Sequence, residues 1–205
     1  SPEAATEQAT EGALIFEEPE SEGAMRHTRV TDLSRRAIFV GDSRTVGLWH
    51  AIDDYGDECI YIGESGEGYD WFIETGLDRM EDAISDNPGV PVIFNLGVND
   101  CENISNYIAV YQDLIAAQPD THFYIMSVNP VTEDSVNVPN SDVIQFNEVM
   151  QDVFADRYID TYRQMLEYGF VSPDGIHYSQ ATYRDIHNYA LLQLAEYEMK
   201  ASSHN

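Results

Sequence analysis

The stretch Ala37-Ile38-Phe39-Val40-Gly41-Asp42-Ser43 decides the fold. Four apolar residues in unbroken succession suit a strand buried on both faces, because a half-exposed strand would alternate polar with apolar. Gly41-Asp42-Ser43 then interrupts the run, and Val46, Leu48, Trp49 and Ile52 recur at helical spacing over 45–53. A buried strand that feeds straight into a helix is the opening of a parallel crossover unit.

The same alternation continues outward from this point. Apolar runs recur at Cys59-Ile60-Tyr61-Ile62, at 90–96 and at 122–128, with a shorter one at Tyr158-Ile159-Asp160-Thr161. Helical periodicity lies between and after them. Residues 69–85 place Phe72, Ile73, Leu77, Met80 and Ile84 on one stripe, and 104–117 are closed by Pro119. Residues 142–154 and 180–200 complete the set, the last with Ser179 as N-cap. Strand and helix thus alternate about five times, which predicts an α/β fold with a parallel sheet and helices on both faces. Ligands in such sheets bind at the carboxyl ends of the strands. Neither an internal repeat nor a domain linker is visible. The expected organisation is an acidic, flexible N-terminal segment over 1–32 and one domain over 33–205.

Thirty-seven acidic residues face ten basic ones, a net charge of −27, and Lys200 is the only lysine. That coat repels phosphate backbones and anionic lipid, so nucleic acid and membrane surfaces are not expected partners. No apolar run approaches the ~18 residues of a membrane span. Residues 1–25 hold seven glutamates and no basic residue. They read as the tether left when a signal peptide is removed, so secretion or a cell-surface location is expected. Two cysteines, Cys59 and Cys101, are too few for a disulfide framework and match no zinc spacing. The oligomeric state is open.

Chemistry collects in four short segments: Gly41-Asp42-Ser43, Ser65-Gly66, Gly97-Val98-Asn99-Asp100 and Asp174-Gly175-Ile176-His177. The first three follow predicted strands directly. A serine between a buried strand and a helix presents its hydroxyl at the sheet edge, beside unpaired N–H groups at a positive helix end. The plain alternative is that Asp42 or Ser43 merely caps the helix. A serine needs a base to become a nucleophile, and His177 is the candidate. Asp174, three residues earlier in a Pro-Asp-Gly turn, can meet the far ring nitrogen and fix the tautomer. It also reads as an ordinary turn former. Gly66 permits close backbone approach, with Gly68 competing for that role, and the Asn99 amide is a donor. The other histidines, His27, His50, His122, His187 and His204, form no close cluster and read as structural or solvated. No metal site or cofactor is expected.

These four segments, in this order, resemble the signature blocks of the SGNH hydrolases, the GDSL esterase/lipase superfamily. The resemblance spans 38–178. It implies a three-layer α/β/α sandwich on a five-stranded parallel sheet, the flavodoxin-like SGNH hydrolase fold. It also implies a Ser43–His177–Asp174 triad and an oxyanion hole made by Ser43 N–H, Gly66 N–H and the Asn99 side chain. Family members hydrolyse esters without a metal. Arg44 stands where an aliphatic residue is usual. It is expected either to contact an anionic or hydroxyl-rich part of the substrate or to pair with a carboxylate. Tyr69, Trp71 and Tyr178 are the aromatic candidates for substrate stacking, whereas Trp49 and Phe72 read as helical core. No long apolar insertion separates the motifs, so the expected substrate is a short acyl ester, foremost an O-acetyl group on a carbohydrate or cell-wall glycan. A lysophospholipase or thioesterase-like activity, an acyltransferase with the same triad, and a non-catalytic glycan-binding domain are the alternatives.

Overall fold

The computed structural model describes residues 14–16, 30–32, 35–132, 135 and 137–203. Strands β1 (Leu14–Phe16) and β2 (Val30–Asp32) pair antiparallel. The apolar island in the acidic lead-in therefore has a strand partner, and β2 lies against the last helix.

The main sheet has five strands: β3 (Ile38–Gly41), β4 (Ile60–Gly63), β5 (Val92–Asn95), β6 (Phe123–Met126) and β7 (Tyr158–Ile159). All its pairings are parallel, in the order β4-β3-β5-β6-β7. The order reverses direction at β3, whose carboxyl end carries Ser43, and such a switch point opens a crevice between adjacent strand ends.

The helices are α1 (Ser43–Ile52), α2 (Tyr69–Trp71), α3 (Leu77–Asp86), α4 (Ile104–Ala117), α5 (Asn140–Val153), α6 (Thr161–Tyr168) and α7 (Gln180–Ser202). A wide turn over Phe72–Gly76 joins α2 to α3. Helix α6 goes beyond the sequence reading: Tyr162, Met165 and Leu166 give an apolar stripe only two turns long, and the helix is set by the Asp160 cap on Arg163 N and by Met165 packed under α7.

Strand alternation sorts the core into two halves. Ile38, Val40, Val92, Phe94, Phe123 and Ile125 face Phe72, Met80, Tyr107, Tyr111, Phe146 and Met150. Ala37, Phe39, Ile93, Tyr124, Met126 and Ile159 face Leu48, Ala51, Met165, Tyr183, Ile186 and Leu191. The result is the expected three-layer sandwich, with α3, α4 and α5 on one side and α1, α6 and α7 on the other. Among the described residues no helix is long and apolar enough to cross a membrane.

Two aromatic expectations are corrected. Helix α1 buries Arg44, Thr45, Leu48, Ala51 and Ile52, and that phase turns Trp49 outward to 42% exposure. Phe72 is fully buried as expected, but so, nearly, is Trp71, which packs in the same half of the core.

Candidate active site

Ser43 is the first residue of α1, and Asp42 caps the helix by accepting a hydrogen bond from Arg44 N at 2.9 Å. Strand β3 delivers the Ser43 side chain to the sheet edge. The long loop between α6 and α7 brings His177 to it, 134 residues later in the chain, with Ser43 Oγ 2.8 Å from His177 Nε2. His177 Nδ1 lies 2.6 Å from Asp174 Oδ2. The other carboxylate oxygen accepts from the backbone N–H groups of His177 at 2.7 Å and Ile176 at 2.9 Å. The Pro-Asp-Gly turn thus folds Asp174 back over its own loop, so turn former and carboxylate partner are the same residue. The loop is pinned further by Ser172, whose Oγ donates to His177 O at 2.6 Å.

The electrostatics follow from these contacts. Partial desolvation pulls the Asp174 carboxyl upward. The hydrogen bonds from His177 and the two backbone donors outweigh it and hold the group down at about 2. Asp42 behaves in the opposite way. Its complete burial raises it to about 6, against the pull of the Arg44 guanidinium and of the backbone donor at Arg44.

Gly66 adopts φ +80°, a conformation that side-chain-bearing residues avoid, and a Cβ there would have open space around it. Gly68 is different. A Cβ at that position would run into the Asp100 carboxylate, so this glycine serves close packing of two loops. Asp100 accepts from Tyr69 N at 2.7 Å, Tyr107 Oη at 2.8 Å and Asn103 Nδ2 at 3.1 Å. Asn99 donates one amide hydrogen to Glu67 O at 2.8 Å and is exposed. The loops after β4 and β5 are therefore laced together, with Gly66 and Asn99 on neighbouring strand ends beside β3. Asp100 is the residue the sequence left without a role; its signal would have been Tyr107 one pair of helical turns on, too weak to read alone.

Arg44 requires correction as a substrate contact. It is 2% exposed, and its guanidinium donates to Ile176 O at 2.9 Å, Asn129 O at 2.7 Å and Pro130 O at 3.1 Å. Buried carbonyls at loop ends need donors, and a planar fork supplies several at once. Arg44 thereby fastens the loop after β6 and the His177 loop to α1. Tyr178 is likewise withdrawn from solvent: it lies 5.0 Å beneath the Arg44 guanidinium and donates its hydroxyl to Pro130 O. Trp71 is in the core, and Tyr69, half-buried, packs edge-on against Tyr107 at 5.4 Å. The aromatic side chain left facing solvent near these loops is Trp49. It lines a cleft of about 370 Å³ with Val46, Tyr61, Gly63, Glu64, Ser65 and Arg79.

Cys59 and Cys101 are free thiols. Burial, with Asp142, Asp100 and Glu102 nearby, pushes the Cys101 thiol up to about 11, which leaves it unreactive at neutral pH.

No family model matches the sequence, and no curated protein matches it. Solved structures do. A lipase/acylhydrolase from Enterococcus faecalis is 20% identical with a TM-score of 0.57, covering 78% of this chain and 95% of that one. An acetyl xylan esterase is 20% identical with a TM-score of 0.56, covering 78% and 98%. A member of the lipolytic G-D-S-L family from Veillonella parvula is 18% identical with a TM-score of 0.58, again covering 78% and 98%. The fold is therefore that of the SGNH hydrolases. At these identities the likeness is one of architecture, and the chemistry must be argued from the side chains above.

Proposed function

We propose that this protein is a serine ester hydrolase that removes short acyl groups, foremost O-acetyl groups from a carbohydrate or cell-wall glycan. The observation that carries the reading is the continuous chain from Ser43 Oγ through the His177 ring to Asp174, at 2.8 and 2.6 Å. A serine hydroxyl with a base in hydrogen-bond reach, and a third group orienting that base, is the arrangement nucleophilic acyl transfer requires.

His177 Nε2 takes the Ser43 proton as Oγ attacks the ester carbonyl carbon. The carbonyl electron pair moves onto oxygen. The resulting oxyanion is met by Ser43 N–H, Gly66 N–H and the second amide hydrogen of Asn99. Collapse breaks the bond to the alkoxide, which leaves with the proton from His177. Water then attacks the acyl-serine by the same route. Asp174 stabilises the imidazolium formed in each half.

The glycan reading is supported by the Trp49 cleft, which begins one residue before Gly66 and offers an indole face beside Glu64 and Arg79. It is supported also by the acetyl xylan esterase among the structures of this fold. Such glycans lie at or outside the cell surface, which is where we place the reaction. The test is hydrolysis of p-nitrophenyl esters from acetate to octanoate, and acetate release from acetylated xylo-oligosaccharides, with Ser43→Ala alongside. The expected result is turnover best with acetate and lost in Ser43→Ala. Turnover that survives Ser43→Ala, or a preference for octanoate, would overturn the reading.

A further inference from the structure

At the opposite end of the sheet from Ser43 lies a second polar cluster. Asp57 and Cys59 sit in the connection that enters β4, Tyr61 stands within the strand, and His187 comes from α7, 130 residues beyond Asp57. Asp57, Cys59 and His187 lie toward the amino end of β4, away from the triad, and have no part in the chemistry above, while Tyr61 also lines the Trp49 cleft. The carboxylate of Asp57, the thiol of Cys59 and an imidazole nitrogen of His187 lie within 4.8 Å of one another. We propose that these three side chains form a structural site for a zinc-like divalent metal ion.

Three features carry the assignment. The first is donor chemistry. One nitrogen, one sulfur and one carboxylate oxygen suit a borderline-soft ion such as Zn²⁺ and are a poor set for Mg²⁺ or Ca²⁺, which demand oxygen. A divalent ion with one thiolate, one carboxylate and one neutral imidazole has no net charge, so the bound site can lie in the protein interior without an uncompensated ion.

The second feature is geometry. Asp57 Oδ2 and His187 Nε2 are 3.2 Å apart. Two ligands held ~2.0–2.1 Å from a tetrahedral zinc are separated by about that distance. Tyr61 Oη donates to Asp57 Oδ2 at 2.6 Å, the outer-shell bond that orients a ligating carboxylate. The fourth corner is left to water.

The third feature is the histidine itself. His187 is fully buried, and its ring lies against Phe39 at 5.7 Å and Tyr61 at 6.4 Å. Among the described residues every polar engagement of the ring passes through Nε2 into the cluster, to Tyr61 Oη at 3.0 Å and Asp57 Oδ2 at 3.2 Å, so the ring is aimed at the point where the carboxylate and the thiol also converge.

Loading balances simply. The ion displaces the Cys59 thiol proton to solvent. Asp57 binds as the carboxylate and His187 as the neutral imidazole, each through a lone pair, so one proton leaves for each metal bound. The bound ion would tie the entry of β4 to α7, whose first residue follows His177 by three positions.

The test uses the full chain, stripped with a chelator and reloaded with Zn²⁺ or Co²⁺. The expected result is one equivalent of metal, a rise in Tm on loading, and a thiolate-to-cobalt charge-transfer band in the near ultraviolet. Cys59→Ser should abolish the band and weaken zinc binding by more than about a hundredfold, beyond what loss of an outer-shell contact alone causes. Cys101→Ser should leave both intact. Asp57→Asn, a second ligand change, should likewise weaken zinc binding. The cobalt band on the unaltered protein needs no variant to fold. Absence of stoichiometric uptake, uptake with no thiolate band, or a band that follows Cys101 would each overturn the proposal.

Discussion

Replacing Asp174 by Asn tests the proposed mechanism at its most specific point. Asp174 Oδ1 accepts from two backbone N–H groups, and Oδ2 faces His177 Nδ1. An amide has one acceptor oxygen. With that oxygen on the two backbone donors, the NH₂ faces Nδ1 and forces it to accept. The ring proton then sits on Nε2, pointing at Ser43, where a lone pair is needed. Turning the amide over sets NH₂ against two N–H donors, which is worse.

In a sealed triad this wrong tautomer costs about 10⁴ in kcat, or roughly 5.5 kcal/mol. Here the Asp174 and His177 side chains are 54% and 45% exposed, so water competes for Nδ1 and relaxes the constraint. We therefore expect a loss of ~10²–10³ in kcat, about 3–4 kcal/mol, with KM little changed. Asp174→Ala should lose less than Asp174→Asn, because water can occupy the vacated position and accept from Nδ1. The assay is steady-state hydrolysis of p-nitrophenyl acetate, with Tm measured in parallel. An Asn variant within threefold of the unaltered protein, or an Ala variant worse than Asn, would refute the tautomer argument.

Arg44→Ala takes the guanidinium donor from Ile176 O and Asn129 O, leaves Pro130 O with Tyr178 alone, and leaves Asp42 without its nearby cation, so a loss of about 3–5 kcal/mol in urea unfolding is expected. A stable variant whose only defect is a raised KM would return Arg44 to the substrate. Asn99→Ala should lower kcat by ~10²–10³ through loss of an oxyanion donor, and unchanged turnover would remove Asn99 from the site. Asp42 titrates near 6 folded against 3.8 as its ordinary value. The folded chain then holds the extra proton across that window, so this group makes stability fall as pH rises through it, by about 3 kcal/mol. Asp42→Asn should remove that slope from unfolding measured at either side of the window, and an unchanged slope would contradict it.

Much of this was legible before any coordinates. Continuous apolar runs must be buried on both faces, which makes a parallel sheet and puts the residues after each strand at one edge. Helix 104–117 matched its predicted bounds because Ile104, Ile108, Tyr111 and Leu114 keep helical period and Pro119 forbids continuation. Ser43 and His177 were readable as a pair because a nucleophile implies a base. The burial of Trp49 and Trp71 is not legible in the sequence, since two apolar residues near a helix surface differ only in phase, and phase is set by what packs against the helix.

The sequence by itself determined the layer architecture, the sheet edge on which chemistry collects and the residue types available there, because periodicity and chain order are local properties. Tertiary structure alone decided that Arg44 serves three loop carbonyls. It alone set Asp100 between two loops, and brought Asp57, Cys59 and His187 together. Each of those depends on which distant backbone the side chain meets, a distance that only the closed fold defines.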